Sequence, residues 1–517
     1  MPRLMMRLRG IFFLILLLTL SAFTVSAQTV LSGVLKNYPD RTIYVYQTED
    51  ELSAVRTMIS KVNTDGAGKF KLELSTTEIT RYFLMIGSTE GIFYAHPGRN
   101  YTLTAFPTPN NNDFQRFDKT TVPLSFDGLE KDDSNLLIPK FNSDLYAFLD
   151  EHFYDFAVEK YRGSKAVKAQ LKGTVGNDLA PMPADGVKKE EEVIDSVGFT
   201  NWVENFRLQM VDKYEVGFTN VYFSNYYRYT IAELELMAGV SSKTLYQEYL
   251  MSQPVLVRHP AYMKFFTAYY DRCLEGRKRV VDTSILRAVN VENDPSRLVE
   301  ILMKDSAFFS QSVGQLAVLN GLKGLLQNSD YPKAAVKQTM KKMSEQPQCN
   351  TYKDIANRLV AAQDRQKAGY VLEDFTLLTP KLEKWESTSS LNGYTYIFFF
   401  ADWCTPCKKE MLLLSKFQET YGKDIQFIAI SVDDNIDAMK AHMQSNRNQN
   451  FTFLYGGNNP ELREIFNLRA IPHSILLDAN GAYMFDYTRK PSEGIQMDFD
   501  KIVALLRQPK GGKTWKD

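Results

Sequence analysis

Between Gln28 and Phe126 the apolar residues come in short runs rich in β-branched and aromatic side chains: Val30–Leu35, Thr42–Tyr46, Lys69–Leu74, Tyr82–Ile86, Gly91–Ala95 and Tyr101–Phe106. Turn chemistry separates them, as at Asn63-Thr-Asp-Gly66 and His96-Pro-Gly-Arg99, and the pattern predicts a small β-sandwich. His96 and the single acidic residues there read as turn or surface positions. From Leu129 to Ala368 apolar residues recur every three or four positions, which predicts helices over Phe141–Tyr161, Thr200–Tyr214, Ser241–Met251, Tyr262–Val280, Pro295–Leu302 and Tyr352–Gln366. The stretch Gly173–Gly186, followed by Lys188–Glu192, has the composition of an exposed flexible connector. The aromatic cluster Tyr222, Phe223, Tyr226, Tyr227 and Tyr229 reads first as packed helical core and second as a groove for an extended peptide.

From Gly369 onward the two periodicities alternate. Tyr394–Phe400 is apolar almost throughout, as a central strand covered on both faces requires. A helix over Pro406–Tyr421, a strand over Ile425–Val432 and a helix over Asn435–Asn446 follow. Strands are expected over Phe451–Leu454, Ser474–Leu477 and Ala482–Tyr487, the last two joined by Asp478-Ala-Asn-Gly481, and a final helix over Phe499–Arg507. The expected fold is multidomain: a β-sandwich-like domain over 28–127, an α-helical domain over 128–368, and an α/β domain over 369–517.

The first residues break this scheme. A cationic start, Met1 to Arg9, leads into the apolar run Ile11–Leu20 and then into permissive residues at Val25 and Ala27. This is the three-part pattern of a secretory signal peptide over 1–27 with a cut before Gln28; the other reading of the uncharged stretch Gly10–Ala27 is a membrane anchor. Cleavage leaves a chain with no further long apolar run, expected to be periplasmic and not stably inserted in a membrane.

Composition narrows the functional classes. At 517 residues the chain has room for about three domains of ~150 residues each. Lys plus Arg and Asp plus Glu both number 61, so no basic field attracts nucleic acid. Five histidines argue against a His-based metal centre, and four cysteines are too few for a disulfide scaffold. Cys404 and Cys407 lie one helical turn apart. Cys273 and Cys349 sit far from them and from each other, too sparse for a zinc site. They are either two buried thiols or a pair whose closure would stabilise by about 4.5 kcal/mol in the chain-entropy picture.

The segment Phe400-Ala-Asp-Trp-Cys404-Thr-Pro-Cys407-Lys-Lys-Glu410 carries the chemistry. A buried strand delivers the chain to a turn, and the helix starts at the cysteines with Pro406 in its first turn, where a missing amide hydrogen costs nothing. Cys404 at a helix N-terminus gains from unpaired amides and the helix dipole, which lower such thiols to roughly 3.5–7.5 from about 8.5. Cys407 is one turn on and supplies a resolving sulfur. Glu410, three residues further, shares its helix face and is either a solvated charge or a group that raises the Cys407 thiol and relays its proton. Lys408, four residues past Cys404, reads as solvated, with stabilisation of a thiolate as the alternative.

Trp-Cys-x-x-Cys after an apolar strand, with Ala470-Ile471-Pro472 ahead of another, resembles the thioredoxin fold. The longer pattern, with Glu410 and a leading Glu373-Asp-Phe-Thr-Leu377 segment, is similar to the exported TlpA and ResA branch of thiol-disulfide oxidoreductases. The front region, with its Gly33 and its Asp65-Gly66-Ala-Gly68 and Pro97-Gly98 turns, resembles the β-domain placed ahead of thioredoxin modules in exported proteins of Bacteroides-type bacteria. The resemblance implies that Pro472 is cis and lies against the cysteine pair, bordering an extended substrate segment together with Trp403, Ile471 and His473. It also implies that Glu410 tunes proton transfer at the cysteines. Two positions depart from the pattern. Phe398 stands where ordinary thioredoxins carry a buried aspartate. His473 stands where a small residue is usual, and it either faces the sulfurs or substrate or points outward. The function so implied is reduction of disulfide-containing protein substrates by a Cys404/Cys407 dithiol, without a cofactor and recharged by a membrane electron donor. The alternative is a partner-binding adaptor whose thioredoxin-like domain is regulatory. Peroxide chemistry is disfavoured, because the Pro-x-x-x-Thr-x-x-Cys signature is missing.

Overall fold

The computed structural model of the protein describes residues 27–507 apart from 88, 108–119, 163–195, 276–282, 305–309, 348–349, 366, 434, 458 and 469. The expected leader up to Ser26, the connector Gly173–Gly186 and Cys349 lie outside the described residues.

Among the described residues the front region has nine strands: β1 Ala27–Val34, β2 Thr42–Thr48, β3 Arg56–Asn63, β4 Lys69–Thr76, β5 Thr80–Ile86, β6 Thr89–Ala95, β7 Asn100–Ala105, β8 Thr120–Val122 and β9 Ser125–Asp127. They make a four-stranded sheet ordered β4-β1-β7-β9 and a five-stranded sheet ordered β3-β2-β5-β6-β8. In β4 buried and exposed residues alternate without a break, because successive side chains of a strand point to opposite faces. Leu31, Leu72 and Leu103 of the first sheet and Val45, Leu84 and Phe93 of the second share one buried cluster. At the close approach of β1 to β7 only glycine fits, since a Cβ on Gly33 would lie 2.3 Å from the Leu103 carbonyl oxygen. Strand β3 was not expected from the sequence. Its side chains are at most half-buried on one face, so it shows no strong apolar alternation.

The middle region is helical, with a core built around Pro260–Tyr269 and Gln311–Leu325. Gln311–Leu325 is buried on nearly every side, including Val313, Leu316, Ala317, Val318, Leu319 and Leu322. An apolar surface running all round a helix leaves no 3.6-residue periodicity to detect. The expected helix Tyr262–Val280 ends early, at Tyr269, and two residues beyond its cap Arg272 takes a left-handed φ of 51° that no helix continues through. The aromatic cluster belongs to the helix Val221–Met237, where Phe223, Tyr227 and Tyr229 are buried. Phe141 packs against Phe223, Tyr226 and Tyr227 with ring centroids 5.6–6.2 Å apart, so this is core, the first of the two readings.

The β and helical regions are joined by polar contacts as well as packing. Leu52 of the β region enters the helical core. Next to it the fully buried Asp50 carboxylate accepts from Ser53 N at 2.6 Å and from Arg358 Nε at 2.8 Å, the latter on the helix Lys353–Asp364. His96 corrects the surface reading: it is buried, its Nε2 accepts from Ser134 N at 3.1 Å, and desolvation pushes its imidazole below the ordinary value.

The C-terminal sheet comprises β10 Thr376–Leu378, β11 Lys384–Glu386, β12 Tyr394–Phe400, β13 Ile425–Ser431, β14 Thr452–Tyr455 and β15 His473–Leu477. Their order is β11-β10-β14-β13-β12-β15. β12, β13 and β14 run parallel, while β15 is antiparallel to β12. Every residue from Thr395 to Phe400 is buried, with the helices Thr405–Tyr421 and Gln496–Leu506 packed beside the sheet. The strand expected over Ala482–Tyr487 does not form. Ala482 and Tyr483 make only isolated bridges, to Val371 and Leu477, although the preceding turn is present, with Gly481 at φ 75° and Asp478 Oδ1 accepting from Asn480 N and Ala482 N at 2.8 and 2.9 Å.

Candidate active site

The buried strand β12 ends at Phe400, and the chain turns through Ala401–Trp403, with Cys404 N donating to Ala401 O at 3.0 Å. Cys404 is the N-cap of the helix Thr405–Tyr421, with extended backbone, and Pro406 lies in the first turn. Its sulfur accepts from Cys407 N at 3.2 Å, which places it on amides that the helix itself leaves unpaired. Cys404 and Cys407 are disulfide-bonded, with an S–S distance of 2.06 Å. Cys404 retains 4% exposure and Cys407 none, so Cys404 is the outer residue of the pair. Trp403, next to it, is 42% exposed.

The Ile471–Pro472 peptide is cis. In the β12–β15 register His473 stands opposite Phe399, so Pro472 lies at the end of β12 from which the chain runs on to Cys404. Ile471 is half-buried against the domain core. His473 does not point freely outward: its ring centroid lies 5.9 Å from that of Phe399. Burial, helped by the Lys490 charge, pushes its imidazole down to about 4 from 6.5. Between these values the unfolded chain binds a proton that the native domain does not, so the stability contributed by neutral His473 is present above about pH 6.5 and is lost as pH falls toward 4. His473→Gln is expected to reduce the loss of stability between pH 7 and pH 5 by about 1–2 kcal/mol, read from urea midpoints at the two pH values. An unchanged loss would refute it.

Glu410 is half-buried, and its carboxylate accepts from Ser492 N at 2.9 Å and from the Ser492 hydroxyl, in the turn Pro491–Glu493. It is therefore not a freely solvated helix charge. Nearby, Tyr396 of β12 donates its hydroxyl to Ser474 Oγ at 2.8 Å. Lys408 is not simply solvated either. Its ammonium lies 3.0 Å from Asp402 Oδ1.

Asp402 itself escaped the sequence reading. Its backbone N–H donates to both carboxylate oxygens of Asp433, at 3.0 and 3.1 Å. Its Oδ1 also faces His442 Nδ1 at 3.3 Å, while His442 Nε2 meets Gln449 Oε1 at 3.1 Å. The only local signal was the place of Asp402 two residues before Cys404; nothing near His442 or Gln449 announces them. Away from the pair, Cys273 carries a free thiol that donates to Ala317 O at 3.3 Å, and burial pushes it up to about 12, far from a nucleophile at neutral pH.

Residues 392–483 match the family model described as thioredoxin-like. The chain is similar to the thioredoxin-like protein YneN of Bacillus subtilis, with 24% identity over 132 residues that cover 26% of this chain and 75% of the relative. Among solved structures it resembles a thiol-disulfide oxidoreductase from Bacteroides fragilis, at 20% identity and a TM-score of 0.23, over 25% of this chain and 98% of that one. It also resembles a thiol:disulfide interchange protein from Chlorobium tepidum, at 24% identity and a TM-score of 0.22, over 26% and 95%. With its strand order, the disulfide-bonded pair at the start of a helix and the family match, the C-terminal α/β unit is a thioredoxin-like domain.

Proposed function

We propose that the protein is an exported thiol-disulfide oxidoreductase of the TlpA and ResA type, working in the reducing direction on protein disulfides. The observation that carries this reading is the asymmetric pair: an outer Cys404 sulfur on the helix N-terminus and an inner Cys407 with no exposed surface. In the reduced enzyme the Cys404 thiolate attacks a substrate disulfide, one S–S bond breaks as a mixed disulfide forms, and the first substrate thiolate takes up a proton. Cys407 then loses its proton and attacks Cys404 Sγ. This releases the second substrate thiol and leaves the Cys404–Cys407 disulfide, so two electrons have passed to the substrate. A dithiol of a membrane electron donor returns them. Trp403, Ile471, Pro472 and His473 border the substrate segment in this reading. The leader over 1–27 directs the chain to the periplasm and is removed before Gln28.

Glu410 accepts the proton of Cys407 when that sulfur must act, and Ser492 holds the carboxylate for the task. Glu410→Gln is expected to slow turnover in insulin reduction about tenfold or more, with the mixed disulfide accumulating; a variant turning over at the wild-type rate would remove Glu410 from this role. The reading as a whole is tested by equilibrating the pair with glutathione. A reduction potential well below that of strong oxidants is expected, and a value near about −120 mV would overturn the reducing direction.

A further inference from the structure

Lys408 follows Cys404 by one helical turn and would be the natural cation for its thiolate. Its ammonium is held elsewhere, on Asp402 Oδ1 at 3.0 Å. The same oxygen faces His442 Nδ1 at 3.3 Å. His442 cannot follow a change at the sulfur. It is buried, its ring packs against those of Phe400 and Phe453 with centroids 5.0 and 6.3 Å away, and its other nitrogen faces Gln449. The Asp402 backbone is tied as well, through its N–H to the buried Asp433 carboxylate, which also accepts from Ser431 Oγ at 2.8 Å. Among the described residues, three segments present charged or titratable groups to Asp402: Lys408 from the helix that carries the cysteines, His442 from the helix Ile436–Ser445, and Asp433 just past β13. Burial opposes ionisation of Asp402, but the hydrogen bond and charge of Lys408, seconded by His442, outweigh it and hold the carboxyl below its ordinary value. At neutral pH the result is a fixed anion two residues ahead of Cys404.

We infer that Asp402 is a positioning residue that sets the redox poise of the pair: it holds a negative charge two residues ahead of Cys404 and binds the Lys408 ammonium, keeping it from the sulfur and biasing the dithiol toward stronger reduction. The inference rests on the dithiol reading above. A thiolate exists only in the reduced protein, so whatever disfavours it destabilises the reduced form and makes the pair a better electron donor. Lys408 is 45% exposed and has a flexible stem. Without its partner carboxylate it is free to turn toward the helix N-terminus.

The test uses the full chain, equilibrated with reduced and oxidised glutathione, and the rate of Cys404 alkylation by iodoacetamide against pH, followed by mass spectrometry. In the equilibrium the protein dithiol gives two electrons and two protons to glutathione disulfide, forming the protein disulfide and two glutathione thiols. Asp402→Asn is expected to shift this equilibrium five- to tenfold toward the reduced protein, about 20–30 mV, and to move the alkylation profile to lower pH. Lys408→Met is expected to shift both in the opposite direction, about threefold, because it leaves the anion without its main partner. The double variant should lie between the two. Opposite signs are the signature, since general loosening of the site would move both single variants the same way. If the wild-type pair exchanges with glutathione but Asp402→Asn leaves it unmoved, or moves it with Lys408→Met, the role assigned to Asp402 is overturned. A wild-type pair inert toward glutathione would overturn the dithiol reading beneath it.

Discussion

Cys404→Ser is expected to abolish disulfide reduction, lowering insulin turnover by roughly three orders of magnitude or more while the fold is retained. The size follows from the chemistry: a hydroxyl at that position has no thiolate to offer and cannot form a mixed disulfide. Retention of the fold follows from the place of the residue. Ser is itself a good N-cap and can accept from the amide of residue 407, as the sulfur does now at 3.2 Å. Cys407→Ser behaves differently. Cys404 still attacks, but no sulfur resolves the product, so a mixed disulfide accumulates and is visible as a reductant-sensitive band on gels. The two variants separate attacker from resolver. Undiminished turnover in Cys404→Ser would remove that residue from the nucleophile role, and accumulation in Cys404→Ser but not in Cys407→Ser would exchange the two assignments.

The second large effect is expected far from the sulfurs. Arg358→Met should cost about 3 kcal/mol of stability in the β and helical regions while leaving disulfide reduction at its wild-type rate. Asp50 has no exposed side-chain surface, and Arg358 is its cationic partner, at 2.8 Å. Removing the guanidinium leaves a buried carboxylate with Ser53 to solvate it and the charge of Lys323, whose ammonium is held on Leu52 O at 2.8 Å, to offset part of the loss. An unpaired buried charge is penalised far more than the pair itself stabilises. The neutral double variant Asp50→Asn with Arg358→Met should therefore recover much of the loss, and the cycle measures the coupling. Chemical denaturation followed by tyrosine fluorescence of the aromatic helical core reads the effect. A change below about 0.5 kcal/mol, the scatter of ordinary surface substitutions, would sink the idea that this ion pair joins the two regions.

Much of the site was legible because it is local. Cys404, Pro406, Cys407 and Glu410 lie within two helical turns, so spacing alone puts them at the start of one helix and along its face. The unbroken apolar run Tyr394–Phe400 marks a strand buried on both sides and therefore the middle of a layered sheet. Elements without a contrast between two faces were lost: β3, which is nowhere deeply buried, and Gln311–Leu325, which is buried nearly all round. The opposite error occurred at Ala482–Tyr487, where an apolar, aromatic run follows a good turn but makes only isolated bridges.

By itself the sequence determined the succession of a β region, a helical region and an α/β region, and the presence of two sulfurs at a helix N-terminus. Periodicity and i, i+3 spacing are properties of neighbours along the chain. The charge environment of those sulfurs was decided only by the tertiary structure. Glu410 finds Ser492, and Asp402 finds Asp433 and His442, across separations of 82, 31 and 40 residues. The parallel pairing of β12 with β13 brings Asp433 to Asp402. Electrostatic influence depends on distance through space and on burial. Lys408, which sequence spacing offered to Cys404, is therefore bound instead to a carboxylate whose other partners lie far along the chain.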